Sequence, residues 1–184
     1  MSTPHHPLVH LLIDMVNPLD FPTGTELLQP ALAAARRIAA LKQRLRAAGV
    51  PTVYVNDNFG RWELGFRELV EVYRTSSTPG AALLPFVAPD PADHFVLKPK
   101  HSGFYATSLE VLLRQWGSRR LILTGIQGNI CVMFTADDAH MRDYEVMVPE
   151  DCIACEDADW QHFAMRQLRE VIHADTRVSE ALEL

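Results

Sequence analysis

The stretch "RLILTGIQGNICVMFTADDAHMRDYEVMV", residues 120–148, decides the fold. It begins with a short branched apolar run, "RLILT" at 120–124, which reads as a buried strand. Gly125 and Gly128 then break the run, and Asn129 stands where a helix N-cap is expected. The residues that follow read as a helix, and "YEVMV" at 144–148 reads as another strand. Strand, helix and strand in that order make a crossover, which joins parallel neighbours.

The alternation extends in both directions. "LVHLLI" at 8–13 reads as a buried strand ending at Asp14. Pro30 marks a helix start, with Leu32, Ala35, Ile38, Leu41 and Leu45 at helical spacing and Gly49 as its stop. "PTVYV" at 51–55 is a second strand and "WELGFRELVEVYR" at 62–74 a helix. Residues 75–93, with four prolines, read as loop. "HFVLK" at 94–98 is a third strand. "TSLEVLLRQW" at 107–116 is a helix capped by Thr107 or Ser108 and followed by Gly117. A last helix over 158–173 sets Trp160, Ala164, Leu168 and Val171 on one side, and "TRVS" at 176–179 is a short final strand. The predicted class is α/β: a three-layer α/β/α, Rossmann-like arrangement. Its mostly parallel sheet of about six strands carries helices on both faces. With no linker, repeat or low-complexity segment in view, a single domain over 1–184 is expected.

Composition narrows the function. The 17 basic and 23 acidic residues give a net charge of −6, which argues against nucleic acid as the partner. No apolar run reaches the ~20 residues of a membrane span. "MSTPHHPLVH" lacks the basic start and apolar stretch of a signal peptide, so a cytoplasmic location is expected. Three cysteines, an odd number, point to free thiols.

In such folds ligands bind at the carboxyl ends of the strands. Asp14, Lys98 and Cys131 fall at three of those ends. A thiol at a helix N-terminus gains from the free N–H groups and the dipole there. Asp14 is suited to accept the thiol proton, and Lys98 to hold the acid ionised. The free N–H groups of the turn suit an acyl oxyanion. Base, nucleophile and orienting cation together suit acyl transfer through a thioester.

Three blocks resemble the isochorismatase-like cysteine hydrolase family, which includes nicotinamidases, carbamoylsarcosine amidohydrolases and ureidoacrylate amidohydrolases. "LLIDMVNPLDF" resembles its first strand with the terminal aspartate, here Asp14. "LKPKHSGFYATSLEVLL" resembles its lysine block, with Lys98 as the lysine. "LILTGIQGNICVMFTADDAHMRDYEVMVPEDC" resembles its cysteine block, with Cys131 as nucleophile. The likeness covers roughly residues 8–180.

The resemblance implies a cysteine hydrolase of small amide or ureido substrates, with Asp14, Lys98 and Cys131 as the catalytic set and no cofactor. Alternatives of the same fold are a vinyl ether hydrolase of the isochorismatase type and a nicotinamidase. A non-catalytic interaction protein that retains the fold is a further reading. Main-chain groups at Ile126, Gln127, Ile130 and Cys131 are expected to hold the oxyanion, and a cis peptide is implied at Ile126–Gln127. Asn17, Phe21, Asn56, Asn58, Trp62, His101 and Phe104 are expected to line the substrate pocket. A homo-oligomer, dimer or tetramer, is also implied. His101, Gly103 and Gly128 depart from the family pattern, beside the expected pocket. Nicotinamidases of the family bind metal through an aspartate closely followed by histidine. Here Asp57 stands in "NDNFGRW" with no histidine near, so no catalytic metal is expected. Cys152 and Cys155 form a C-x-x-C that reads as structural or incidental. His5 and His6 are expected to have no role, His162 and His173 to be solvated or to cap the last helix, and His140 to make a favourable dipole contact near a helix end.

Overall fold

In the computed structural model, which describes residues 4–184, the strand β1 (Leu8–Ile13) is buried along its whole length. Met1–Thr3, the start of the expected domain and of "MSTPHHPLVH", lie outside the described residues. The burial of β1 follows from its place at the centre of the sheet. It pairs with β2 (Thr52–Asp57) on one side and β4 (Arg120–Ile126) on the other. β3 (His94–Lys98) continues beyond β2, and β5 (Glu145–Met147) beyond β4. The order is β3-β2-β1-β4-β5, and every pairing is parallel. The sixth strand, β6 (Ile153–Ala154), pairs with the carboxyl end of β4, where β5 has stopped.

Alternate residues of the central strand feed two cores. Leu8 and Leu12 pack with α1 (Gly24–Ala47) and α2 (Phe66–Arg74), together with α3 (Leu84–Val87). Val9, Leu11 and Ile13 pack with α4 (Leu109–Gln115), α5 (Met133–His140) and α6 (Ala158–Glu170). Each fully buried Leu or Ile removes enough apolar surface to contribute roughly 2 kcal/mol. The result is the three-layer α/β/α arrangement. His10 is the polar exception within β1: its ring lies between Thr52 Oγ1 (3.1 Å) and Thr124 Oγ1 (2.8 Å), one on each neighbouring strand.

Several boundaries differ from expectation. α1 begins at Gly24, so Pro30 lies inside it rather than at its start. The carbonyl that loses its partner belongs to Glu26, an exposed residue that water reaches. α2 begins at Phe66; Trp62–Gly65 are not helical. The expected loop 75–93 contains a 3-10 turn, Pro79–Leu83, and α3, because Pro79 and Pro85 occupy first-turn positions where a missing N–H costs nothing. "TRVS" is not a strand: Asp175 makes a single bridge to Met147, and a 3-10 turn follows at Ser179–Ala181. On α6 the buried side is Ala164, Met165 and Leu168, while Trp160 and Val171 are exposed. His6 is not idle either, since its ring packs edge-on against Trp116.

Candidate active site

The strand order changes direction between β1 and β4, and in open α/β sheets the crevice at that switch point receives the ligand. Asp14 immediately follows β1. Lys98 is the last residue of β3. Cys131 lies in the turn after β4. The backbone meets closely here. Gly125, at φ +123°, has Ile13 O where a Cβ would stand, at 1.9 Å, so no side chain fits at this end of β4. The next peptide, Ile126–Gln127, is cis. Gly128–Val132 then form one wide π-helical turn leading into α5.

That turn changes two expectations. Gln127, not Asn129, has the extended backbone of a cap residue, and the buried Asn129 Oδ1 has no hydrogen-bond partner among the described residues. Ile130 spends its N–H on Gln127 O at 3.1 Å, as does Val132. Ile130 is therefore not free to serve an oxyanion. The Cys155 sulfur packs beneath the turn, 2.9 Å from where a Cβ on Gly128 would stand, which gives Cys155 a structural place.

Three expected residues meet. Lys98 Nζ lies 2.8 Å from Asp14 Oδ2 and donates to Cys131 Sγ at 3.5 Å. The Asp14 carboxylate sets its charge beside the Cys131 thiol, and its Oδ1 accepts the Asp57 N–H at 2.6 Å. Lys98 Nζ donates as well to Lys100 O at 3.1 Å. Asp14 and Lys98 are almost fully buried, whereas Cys131 is partly exposed. Burial raises the Asp14 pKa above the ordinary carboxylate value, although the adjacent ammonium pulls the other way. Burial opposes the Lys98 charge, but Asp14, Cys131 and Asp57 together outweigh it and hold the ammonium above its usual pKa. Burial and then the Asp14 charge push the Cys131 thiol well up, against the pull of Lys98.

Thr135 joins the lysine block to the cysteine block. Its Oγ1 accepts the Gly103 N–H (3.0 Å) and donates to Cys131 O (2.7 Å). Ser102 Oγ adds a bond to Asp138 Oδ2 at 2.5 Å. The departure at Gly103 has a packing reason: a Cβ there would stand 2.6 Å from Val55 Cγ1, so valine fills the methyl's room.

The expected pocket residues divide. Asn56 is wholly buried and clamps the first loop: its Oδ1 accepts the Val16 N–H and its Nδ2 donates to Val16 O and Asp57 O. Asn17 and Asn58 close local turns onto the Leu19 and Gly60 N–H groups. Phe21 packs on the α1 side of the core. Phe104 belongs to the opposite core, against Tyr144 and under the Arg142 guanidinium. His101 is exposed and tilts against Phe134, while Trp62 stands 75% exposed. Asp57 was not among the expected site residues, yet its Oδ2 lies 3.7 Å from Lys98 Nζ. Its position at the end of β2, in register with Lys98, was the signal available.

Among the described residues no group of three or more His, Cys, Asp or Glu side chains is arranged to hold a metal ion, and no helix is long and apolar enough to cross a membrane.

Comparison with known proteins matches residues 9–178 to the isochorismatase domain. An uncharacterized isochorismatase family protein of Bacillus subtilis (strain 168), YaaI, is 36% identical over 172 residues, 94% of each chain. The ureidoacrylate amidohydrolase RutB of Methylorubrum extorquens is 43% identical over 70 residues, 38% of this chain and 28% of its own. The crystal structure of N-carbamoylsarcosine amidase from Thermoplasma acidophilum superposes with a TM-score of 0.71 at 26% identity, covering 96% of this chain and 99% of that one.

Proposed function

The chain belongs to the isochorismatase family of hydrolases, and on that ground we propose that it is a cysteine hydrolase cleaving the C–N bond of small amide or ureido substrates. The observation that carries this reading is the meeting of Lys98 Nζ with both Asp14 Oδ2, at 2.8 Å, and Cys131 Sγ, at 3.5 Å. Two relatives, a ureidoacrylate amidohydrolase and an N-carbamoylsarcosine amidase, support the substrate class by their activities.

Asp14 removes the Cys131 proton as Sγ attacks the substrate carbonyl carbon. The carbonyl electron pair moves onto oxygen, which main-chain N–H groups of Gln127 and Cys131 stabilise in place of the set that included Ile130. The tetrahedral intermediate collapses, the C–N bond breaks, and Asp14 returns the proton to the leaving nitrogen. Water, deprotonated by Asp14, then attacks the thioester. Its C–S bond breaks, the acid leaves and the thiol is restored. Lys98 keeps a positive charge beside these transfers. No step calls on a metal or a cofactor.

The test is a panel of small amides and ureido acids, with Cys131→Ala and Asp14→Asn as controls. Turnover is expected from the parent protein, and loss of at least about 1000-fold from Cys131→Ala. Turnover by Cys131→Ala equal to the parent overturns the thioester route. Pyruvate release from isochorismate without dependence on Cys131 would assign vinyl ether chemistry instead.

A further inference from the structure

The steps above leave one charged group unused. Asp57 is the last residue of β2, and the parallel register sets it beside Lys98, the last residue of β3. Its Oδ2 lies 3.7 Å from Lys98 Nζ. Its own N–H donates to Asp14 Oδ1, and its Oδ1 accepts the Phe59 N–H at 2.7 Å. The Asp57 side chain is 29% exposed, against 5% for Asp14 and 0% for Lys98.

When the thiol proton passes to Asp14, the carboxylate becomes a neutral acid. The sulfur is then committed to a bond with carbon. Lys98 thereby loses the charge of its nearest partner at the moment an oxyanion forms. A buried ammonium with no anion beside it gives up its proton readily. The groups facing Lys98 Nζ among the described residues are Asp14 just after β1, Asp57 from β2, Cys131 from the turn after β4 and the Lys100 carbonyl. Of these, Asp57 is the one carboxylate that takes no part in the transfer.

We propose that Asp57 is a positioning residue that keeps Lys98 protonated while Asp14 carries the thiol proton. This rests on the hydrolase reading above. The position of Asp57 suits the role: its side chain is partly open to water, and its Oδ2 is aimed at Lys98 while Oδ1 is held by the Phe59 N–H. Asparagine at 57 preserves the turn to the Phe59 N–H and the main-chain bond to Asp14, and removes only the charge.

Lys42, Lys98 and Lys100 are the lysines of the chain, so lysine labelled with carbon-13 at Cε gives a spectrum simple enough to follow Lys98 directly. The titration is run in Asp14→Asn, which fixes a neutral group at position 14. Asparagine also tolerates the left-handed backbone there, at φ 51°. Lys98 is expected to lose its proton about one pH unit or more earlier in Asp14→Asn/Asp57→Asn than in Asp14→Asn. Identical titrations overturn the proposal. If the double variant does not fold, Asp57→Asn is titrated against the parent, with an earlier Lys98 transition expected and an unchanged one overturning the role. With the best substrate of the panel, Asp57→Asn is expected to shift the alkaline limb of kcat to lower pH and leave KM within about twofold. The NMR readout needs no substrate. Failure of the hydrolase reading, seen as parent-like turnover by Cys131→Ala, is therefore distinguishable from failure of the Asp57 role.

Discussion

Lys98 Nζ lies 2.8 Å from Asp14 Oδ2, and neither side chain is appreciably open to water. Removing one member of such a pair strands the other as an unpaired buried charge, at a cost of about 3–5 kcal/mol. Lys98→Met is therefore expected to lower the unfolding free energy by an amount in that range, measured by urea titration at neutral pH. Asp14, left with no cation, would hold a proton more tightly and act as a base only at higher pH. Turnover is expected to fall by about 100-fold or more, with kcat affected more than KM. A variant with parent stability would show that the pair contributes nothing net.

The sulfur sets a second expectation. A cysteine beside a lysine and at a helix start suggests a ready thiolate, but burial and the Asp14 charge hold the Cys131 proton in place. Iodoacetamide at neutral pH is expected to modify Cys131 more slowly than a free cysteine peptide, with the rate climbing only well into the alkaline range. Asp14→Asn removes the opposing negative charge, so its Cys131 should react faster than the parent at the same pH. Mass spectrometry of the Cys131 peptide over time gives both rates. Faster modification of the parent than of the free peptide would mean the sulfur is ionised at rest.

The base has a pH signature of its own. Asp14 must be ionised to take the thiol proton, so kcat/KM should rise with pH through the Asp14 pKa. Burial places that pKa above 3.8, against the opposing pull of Lys98. The acid limb of the kcat/KM profile is therefore expected above the ordinary carboxylate range. Lys98→Met removes the ion pair and should move the limb still higher. An acid limb at or below the ordinary value would assign the base elsewhere.

How far the sequence carried this reading depends on what kind of signal each residue leaves. The strands and the Asp14, Lys98 and Cys131 positions were legible because apolar runs and their ends follow from local periodicity, and the parallel order then brings the ends together. β6 was missed because two residues, Ile153 and Ala154, are too few to show a period. The π-helical turn leaves no such signal: an N-cap expectation at Asn129 assumes regular helix from that point, whereas the chain widens first. The resemblance points Asn56 and Phe104 at the pocket through the loops that carry them. The contacts they make, Val16 for Asn56 and Tyr144 with Arg142 for Phe104, lie about 40 residues away along the chain, beyond what local pattern reports.

His10 provides the last expectation, on stability. It lies fully buried between Thr52 and Thr124, and burial, helped by the Lys42 charge, lowers its pKa from 6.5 to about 3. The folded state thus keeps the ring neutral where the unfolded chain would bind a proton. Between those two values the unfolded state holds the extra proton, so stability rises with pH. The contribution is fully present above 6.5 and is lost as pH falls toward 3. From about pH 7 to pH 5 this one residue should remove about 2 kcal/mol of unfolding free energy. Urea titrations at the two pH values measure the loss in the parent. The same pair of titrations on His10→Asn, which keeps a polar group facing the threonines and cannot charge, should show a pH-dependent loss smaller by about that amount. Equal slopes in the two proteins would mean that the ring is not held neutral in the sheet.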